Sequence, residues 1–158
     1  MKQTTKTTNN GNSTFFIILF SLLMLTASAS ADFSRDSDGV VTDSVTGLQW
    51  QDNYSDNGDN IKKAKWTDAI AYCEALSLGG DDDWRLPNFN ELYYLADRSK
   101  CNPAIDPTFQ HTASDLYWSS TTIVGGEGSA LNVDFDDGGG HWNSKDDTYH
   151  VRCVRARQ

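Results

Sequence analysis

Asp83-Trp84-Arg85-Leu86-Pro87-Asn88-Phe89-Asn90-Glu91-Leu92 is the stretch that marks where an extended lead-in becomes a helix. Pro87 disfavours helical backbone at Leu86 and pre-sets its own φ for the first turn that follows. Asn88 is the natural N-cap, because its side-chain oxygen can accept from an otherwise unpaired N–H of that turn. Glu91, at the third helical position, completes a capping box. Phe89, Leu92, Leu95 and Ala96 recur on one helical face, so the helix is expected to run to about Arg98.

Upstream, Trp66, Ile70, Cys73 and Leu76 share a second helical face. A helix is therefore expected over residues 66–78, with Thr67 as N-cap, Asp68 in the first turn and Gly79-Gly80 as the stop. Further upstream, Val40–Asp43 and Leu48–Gln51 are short β-type runs joined by a turn at Thr46-Gly47. Asp52 to Asn60 has no apolar period and reads as a loop.

Downstream, residues 99–115 are irregular, punctuated by Pro103 and Pro107. Three β-type runs follow: Leu116–Thr122, Ala130–Phe135 and Tyr149–Arg155. In the last, Tyr149, Val151 and Cys153 alternate with His150, Arg152 and Val154. Asp136 to Thr148 is glycine-rich and reads as a loop. Strands, then two helices, then strands argue for an α+β fold with an antiparallel sheet.

The first 31 residues read as a secretory signal peptide. Lys2 and Lys6 precede an 11-residue apolar run, Phe15–Leu25, and Ala29-Ser30-Ala31 offers a small-x-small cleavage site. Cleavage after Ala29 fits as well. The run is short for a membrane span, which needs about 20 apolar residues. Removing 31 of 158 residues leaves 127, the size of one domain, residues 32–158. The expected mature chain loses two of its 13 basic residues and none of its 22 acids, for a formal charge of −11. That charge argues against nucleic acid and anionic membrane as partners, and no membrane insertion is expected after cleavage. The expected location is secreted, periplasmic or cell-surface.

Five segments together resemble a known family: Val41-Thr42-Asp43 with Thr46-Gly47-Leu48-Gln49-Trp50, Ala69–Leu76 (AIAYCEAL), Asp83–Leu92 (DWRLPNFNEL), Tyr117–Ser120 (YWSS) and Val151–Arg155 (VRCVR). The chain resembles the Lcl C-terminal-domain family of bacteria, named for a collagen-like surface adhesin, over about residues 33–156. The resemblance implies a C-type-lectin-like fold, two helices packed on a small twisted antiparallel sheet, shared with the formylglycine-generating enzymes. It also implies a secreted or surface recognition module, adhesin-like and glycan-binding. Trp84, Leu86 and Trp118 are read as core residues of that fold.

Cys73, Cys101 and Cys153 make an odd number, and an exported chain is expected to hold disulfides. The lectin-like resemblance pairs the first helix with the last strand, that is Cys73 with Cys153. Both lie on faces read as buried. Closing a loop of about 80 residues is worth on the order of 4 kcal/mol. Cys101 is then left as a buried or capped thiol, with an intermolecular disulfide as the alternative.

No catalysis is expected. Formylglycine-generating chemistry needs a reactive cysteine pair near the domain's end, where only Cys153 lies. His111, His141 and His150 could each serve a Cys–His pair, but an oxidising compartment disfavours a free catalytic thiol. No H-E-x-x-H or G-x-S-x-G motif occurs.

Calcium is the leading small-ligand candidate, since it takes six to eight oxygens from flexible loops. Three acidic loops offer them: Asp52 with Asp56 and Asp59, Asp81 to Asp83, and Asp134, Asp136 and Asp137 with Asp146 and Asp147. The last set is the favoured metal set, although it lacks EF-hand spacing and the proline-containing motif of calcium-dependent lectins. A glycan could be held without metal by His141, Trp142 and Asn143, an aromatic ring for stacking beside polar side chains for hydroxyls. Sulfated polysaccharide would need basic residues at the site, and the net acidic charge of this chain argues against that specificity. The expected function is a recognition module for an extracellular glycan or surface protein, with a cation-stabilised structural domain as the alternative.

Overall fold

The computed structural model describes residues 32–156, and the expected signal peptide lies outside them. In chain order the elements are β1 (Phe33–Arg35), β2 (Val40–Asp43), β3 (Leu48–Gln51), β4 (Lys63–Ala64), α1 (Trp66–Glu74), α2 (Phe89–Leu95), β5 (Leu116–Ile123), β6 (Gly126–Asp134), β7 (Gly140–Ser144), β8 (Tyr149–His150) and β9 (Val154–Ala156). The α+β class and the two helices are as expected. The single small antiparallel sheet is not: there are two sheets, β1-β2-β3-β9 and β4-β8-β5-β6-β7. One pairing is parallel, β5 with β8 at Tyr117 and His150.

The stretch around Pro87 joins these sheets. Arg85 exchanges both backbone hydrogen bonds with Val154 on β9, each 2.9 Å. Two residues later the Pro87 carbonyl accepts from Ser120 N–H on β5 at 2.8 Å. Phe89 N–H then donates to Thr121 Oγ1 at 2.9 Å, which seats the first turn of α2 on β5. The capping box is complete: Glu91 N–H donates to Asn88 Oδ1, and Asn88 N–H donates to the Glu91 carboxylate. The helix stops at Leu95, three residues short of the expected end.

Adjacent residues on β5 face opposite ways, and each face builds its own core. Trp118 joins Ala69 and Cys73 of α1, with Leu76, Trp84 and Leu86. Tyr117 joins Leu92 and Leu95 of α2, with Trp50, Val133 and Phe135. Trp84, Leu86 and Trp118 are thus buried as read from the sequence.

Three local expectations need correction. Lys65, not Thr67, caps α1, and no side chain fills that role. The helix ends at Glu74, ahead of the expected stop, and beyond it Leu78 pairs with Asp81 across Gly79 and Gly80, both at positive φ. Leu76 lies beyond the helix and is still buried. The run Tyr149–Arg155 is not one strand. After His150 the chain leaves the five-stranded sheet, Val151 N–H donates to Lys62 O, and Val154 enters the four-stranded sheet. Both alternating sets of that run are therefore mostly buried, because each half faces a different core.

The Cys73–Cys153 disulfide is present and ties α1 to this crossing segment over a sequence separation of 80. Cys101 is free and exposed, not buried. Among the described residues no helix is long and apolar enough to cross a membrane.

Candidate functional site

A cleft of about 830 Å3 opens between the β2–β3 turn and α2. Trp50 and Leu95 line it from the core side, half-buried Leu131 lines it as well, and Val45 and Tyr94 line it from the surface. A second hollow of about 650 Å3 lies at the β5–β6 hairpin tip, lined by Ile123, Val124 and Trp142. Thr121 and Leu131 line both, so the two hollows adjoin, and together they are called the groove. Four large apolar residues are exposed among the described residues: Val45 at 55%, Tyr94 at 80%, Val124 at 100% and Trp142 at 65%. All four line this groove. Scattered exposed apolar residues are ordinary, but a contiguous set marks an interaction site.

Local structure explains each placement. Burying Leu92 and Leu95 on α2 turns Tyr94 outward. Phe89, also on the groove, stacks on Tyr93 with ring centroids 5.2 Å apart. Its ring passes over β7 at Gly140, where a Cβ would come within 2.7 Å of it. Trp142 lies opposite Leu131 in the β6–β7 register, which puts both on the groove face.

The electrostatics are one-sided. Asp43, Glu91, Asp97 and Asp106 line the cleft, and among the described residues no Lys, Arg or His does. Arg85, outside the cleft, grips Glu91 at 2.7 Å. Burial alone would raise the Glu91 pKa, but the Arg85 hydrogen bonds and the Asn88 N–H outweigh it and hold the carboxyl low. Hydrogen bonds from Lys100 and Ser99 hold Asp97 down to about 2. Asp43 accepts from Val45 N–H and from the Thr46 hydroxyl at 2.7 Å, which shapes the turn. Asp106 accepts from Thr108 N–H at 2.9 Å. Neither Asp43 nor Asp106 forms an ion pair among the described residues.

The residues singled out for glycan contact are reordered. His141, Trp142 and Asn143 lie on β7, an edge strand, not in a loop. Strand alternation places Trp142 on the groove face and His141 and Asn143 on the other. Asn143 accepts from buried Asn132 at 2.7 Å. All three still touch a small hollow of about 280 Å3 at the strand edge, together with Asp134.

The favoured metal set divides. Asp134 and Asp137 converge with His141, their ligand atoms within 4.8 Å of one another. Asp136 does not join them, and Asp146 lies 3.8 Å from Lys65 near the other end of β7. Asp147 is not part of the cluster either. The other acidic loops serve the fold. Asp52 is fully buried and takes Arg35 Nε at 2.8 Å and the N–H groups of Gln110 and His111. Asp81 and Asp83 both hold Arg155, at 2.7 and 2.5 Å.

Val45, Phe89, Tyr94, Thr121, Val124 and Leu131 are the groove residues that the sequence reading left aside. One signal was there. Tyr94 falls off the apolar face of its own helix, and an aromatic ring there has no core to enter.

A comparison with curated proteins finds no match. The family model of the Lcl C-terminal domain matches residues 39–155, most of the chain, and the protein belongs to that family.

Proposed function

We propose that this protein is an exported, non-catalytic recognition module of C-type-lectin-like architecture that binds an extracellular glycan along the groove. The carrying observation is that the four large apolar residues exposed among the described residues all line two adjoining hollows that share Thr121 and Leu131. Tyr94 and Trp142 offer flat faces for sugar rings, and Asn90 and Thr121 lie beside them for hydroxyls. The disulfide from α1 to the segment before β9 supports the lectin-like architecture. The signal-like residues 1–31 support export and a secreted, periplasmic or surface location.

A glycan array probed with the mature chain and with Trp142→Ala tests this reading. Retention that vanishes in the variant, with an unchanged melting temperature, supports it.

One observation favours a second reading, a divalent-cation-stabilised structural domain. Asp134, Asp137 and His141 offer three ligand atoms within 4.8 Å of one another. A histidine among the donors suits a transition metal better than calcium. On that reading no glycan is retained, and a chelator lowers the melting temperature.

A further inference from the structure

We infer that the groove selects a cationic glycan, an amino-sugar polymer whose amines are free, in preference to N-acetylated or sulfated sugars. This rests on the glycan reading above and adds the ligand's charge to it.

Among the described residues the cleft is lined by four carboxylates and no cationic side chain. Arg85 balances Glu91, and Lys100 balances Asp97. Asp43 and Asp106 keep charges that no ion pair among the described residues offsets. Both lie along an apolar lining, where a carboxylate's field is less screened than in open water. A sulfate or uronate would meet two charges of its own sign, of which Lys100 offsets that of Asp106 only through space. A protonated amine would meet charges of the opposite sign, and the exposed faces of Tyr94 and Trp142 attract an ammonium as well. Amino sugars carry both parts of this complement, a ring with an apolar C–H face and a cationic group. Groove-lining Trp50 adds an indole Nε1–H with no hydrogen-bond partner among the described residues.

The test compares retention of the mature chain on three immobilised glycans: fully deacetylated β-1,4-glucosamine oligomers, their N-acetylated counterparts, and a heparin-type sulfated chain. Glucosamine oligomers are expected to bind about tenfold tighter than the acetylated form, with the sulfated chain not retained and with binding that weakens as salt rises. Asp106→Asn keeps an oxygen for Thr108 N–H and removes the charge. It is expected to weaken glucosamine binding about threefold and to leave acetylated binding unchanged. Equal retention of acetylated or sulfated glycan, lost in Trp142→Ala, overturns the charge inference and leaves the glycan reading standing. Retention of no glycan overturns both. An oligolysine peptide held as tightly as the glucosamine oligomer makes the groove a general cation trap, which also overturns the inference. If Asp106→Asn does not fold, the three-glycan comparison on the unmodified chain decides.

Discussion

Arg85 and Glu91 meet in a two-bond fork, Nη1 to Oε2 at 2.8 Å and Nη2 to Oε1 at 2.7 Å. The same carboxylate accepts the Asn88 N–H at 2.8 Å. One side chain thus links the lead-in paired with β9, the N-cap and the helix lining the groove. Glu91→Gln can keep the cap and loses the ion pair, so a loss of about 1 kcal/mol is expected. Asn88→Ala should also cost about 1 kcal/mol by removing the cap. Urea unfolding of the two variants measures this. No loss in either variant would mean that the capped junction does not stabilise the fold.

The disulfide constrains the unfolded chain over 80 residues. Replacing Cys73 and Cys153 together by Ala should cost about 2–5 kcal/mol. The urea midpoint of the double variant reports it. A midpoint equal to that of the native protein would contradict the account.

Cys101 is exposed and unpaired within the chain. Under native, non-reducing conditions a thiol-reactive dye should label one cysteine per chain, and Cys101→Ser should abolish the labelling. Labelling of two or three cysteines would contradict the Cys73–Cys153 pairing.

His150 is buried against Tyr117, ring centroids 5.0 Å apart. Burial lowers its pKa first, and nearby Lys63 and Arg152 lower it further, against the opposing pull of Asp115. A lowered folded pKa means that the neutral ring's contribution is fully present above the unfolded value, about 6.5. It is lost as pH falls through the folded value. The melting temperature should therefore fall as pH drops from neutral toward about 5, and fall less in His150→Phe, which keeps the stacked ring. Identical slopes in the two proteins would rule out His150 as the source.

What the sequence disclosed depended on how local the cause was. The α2 cap was legible because Asn88 and Glu91 act within one turn. The β2–β3 hairpin was legible because Thr46-Gly47 turns the chain in place. The split of Tyr149–Arg155 was not, since Lys62 and Gln51, about 90 and 100 residues away, decide where each half pairs. β7 was hidden in a glycine-rich run because only β6 makes Gly140–Ser144 a strand. That same pairing gave Trp142 and His141 opposite faces, so Trp142 also joins the groove while all three border the small hollow at the strand edge. The groove itself needs α2, the β2–β3 turn and the β5–β6 hairpin in one place, and no local pattern carries that.

The most direct test is retention of residues 32–158 on a glycan array, set beside Trp142→Ala. Glycan retained by the unmodified chain and lost in the variant, at matched melting temperatures, is the predicted result. No retention by the unmodified chain, or retention that survives the loss of Trp142, would contradict the groove as the recognition site.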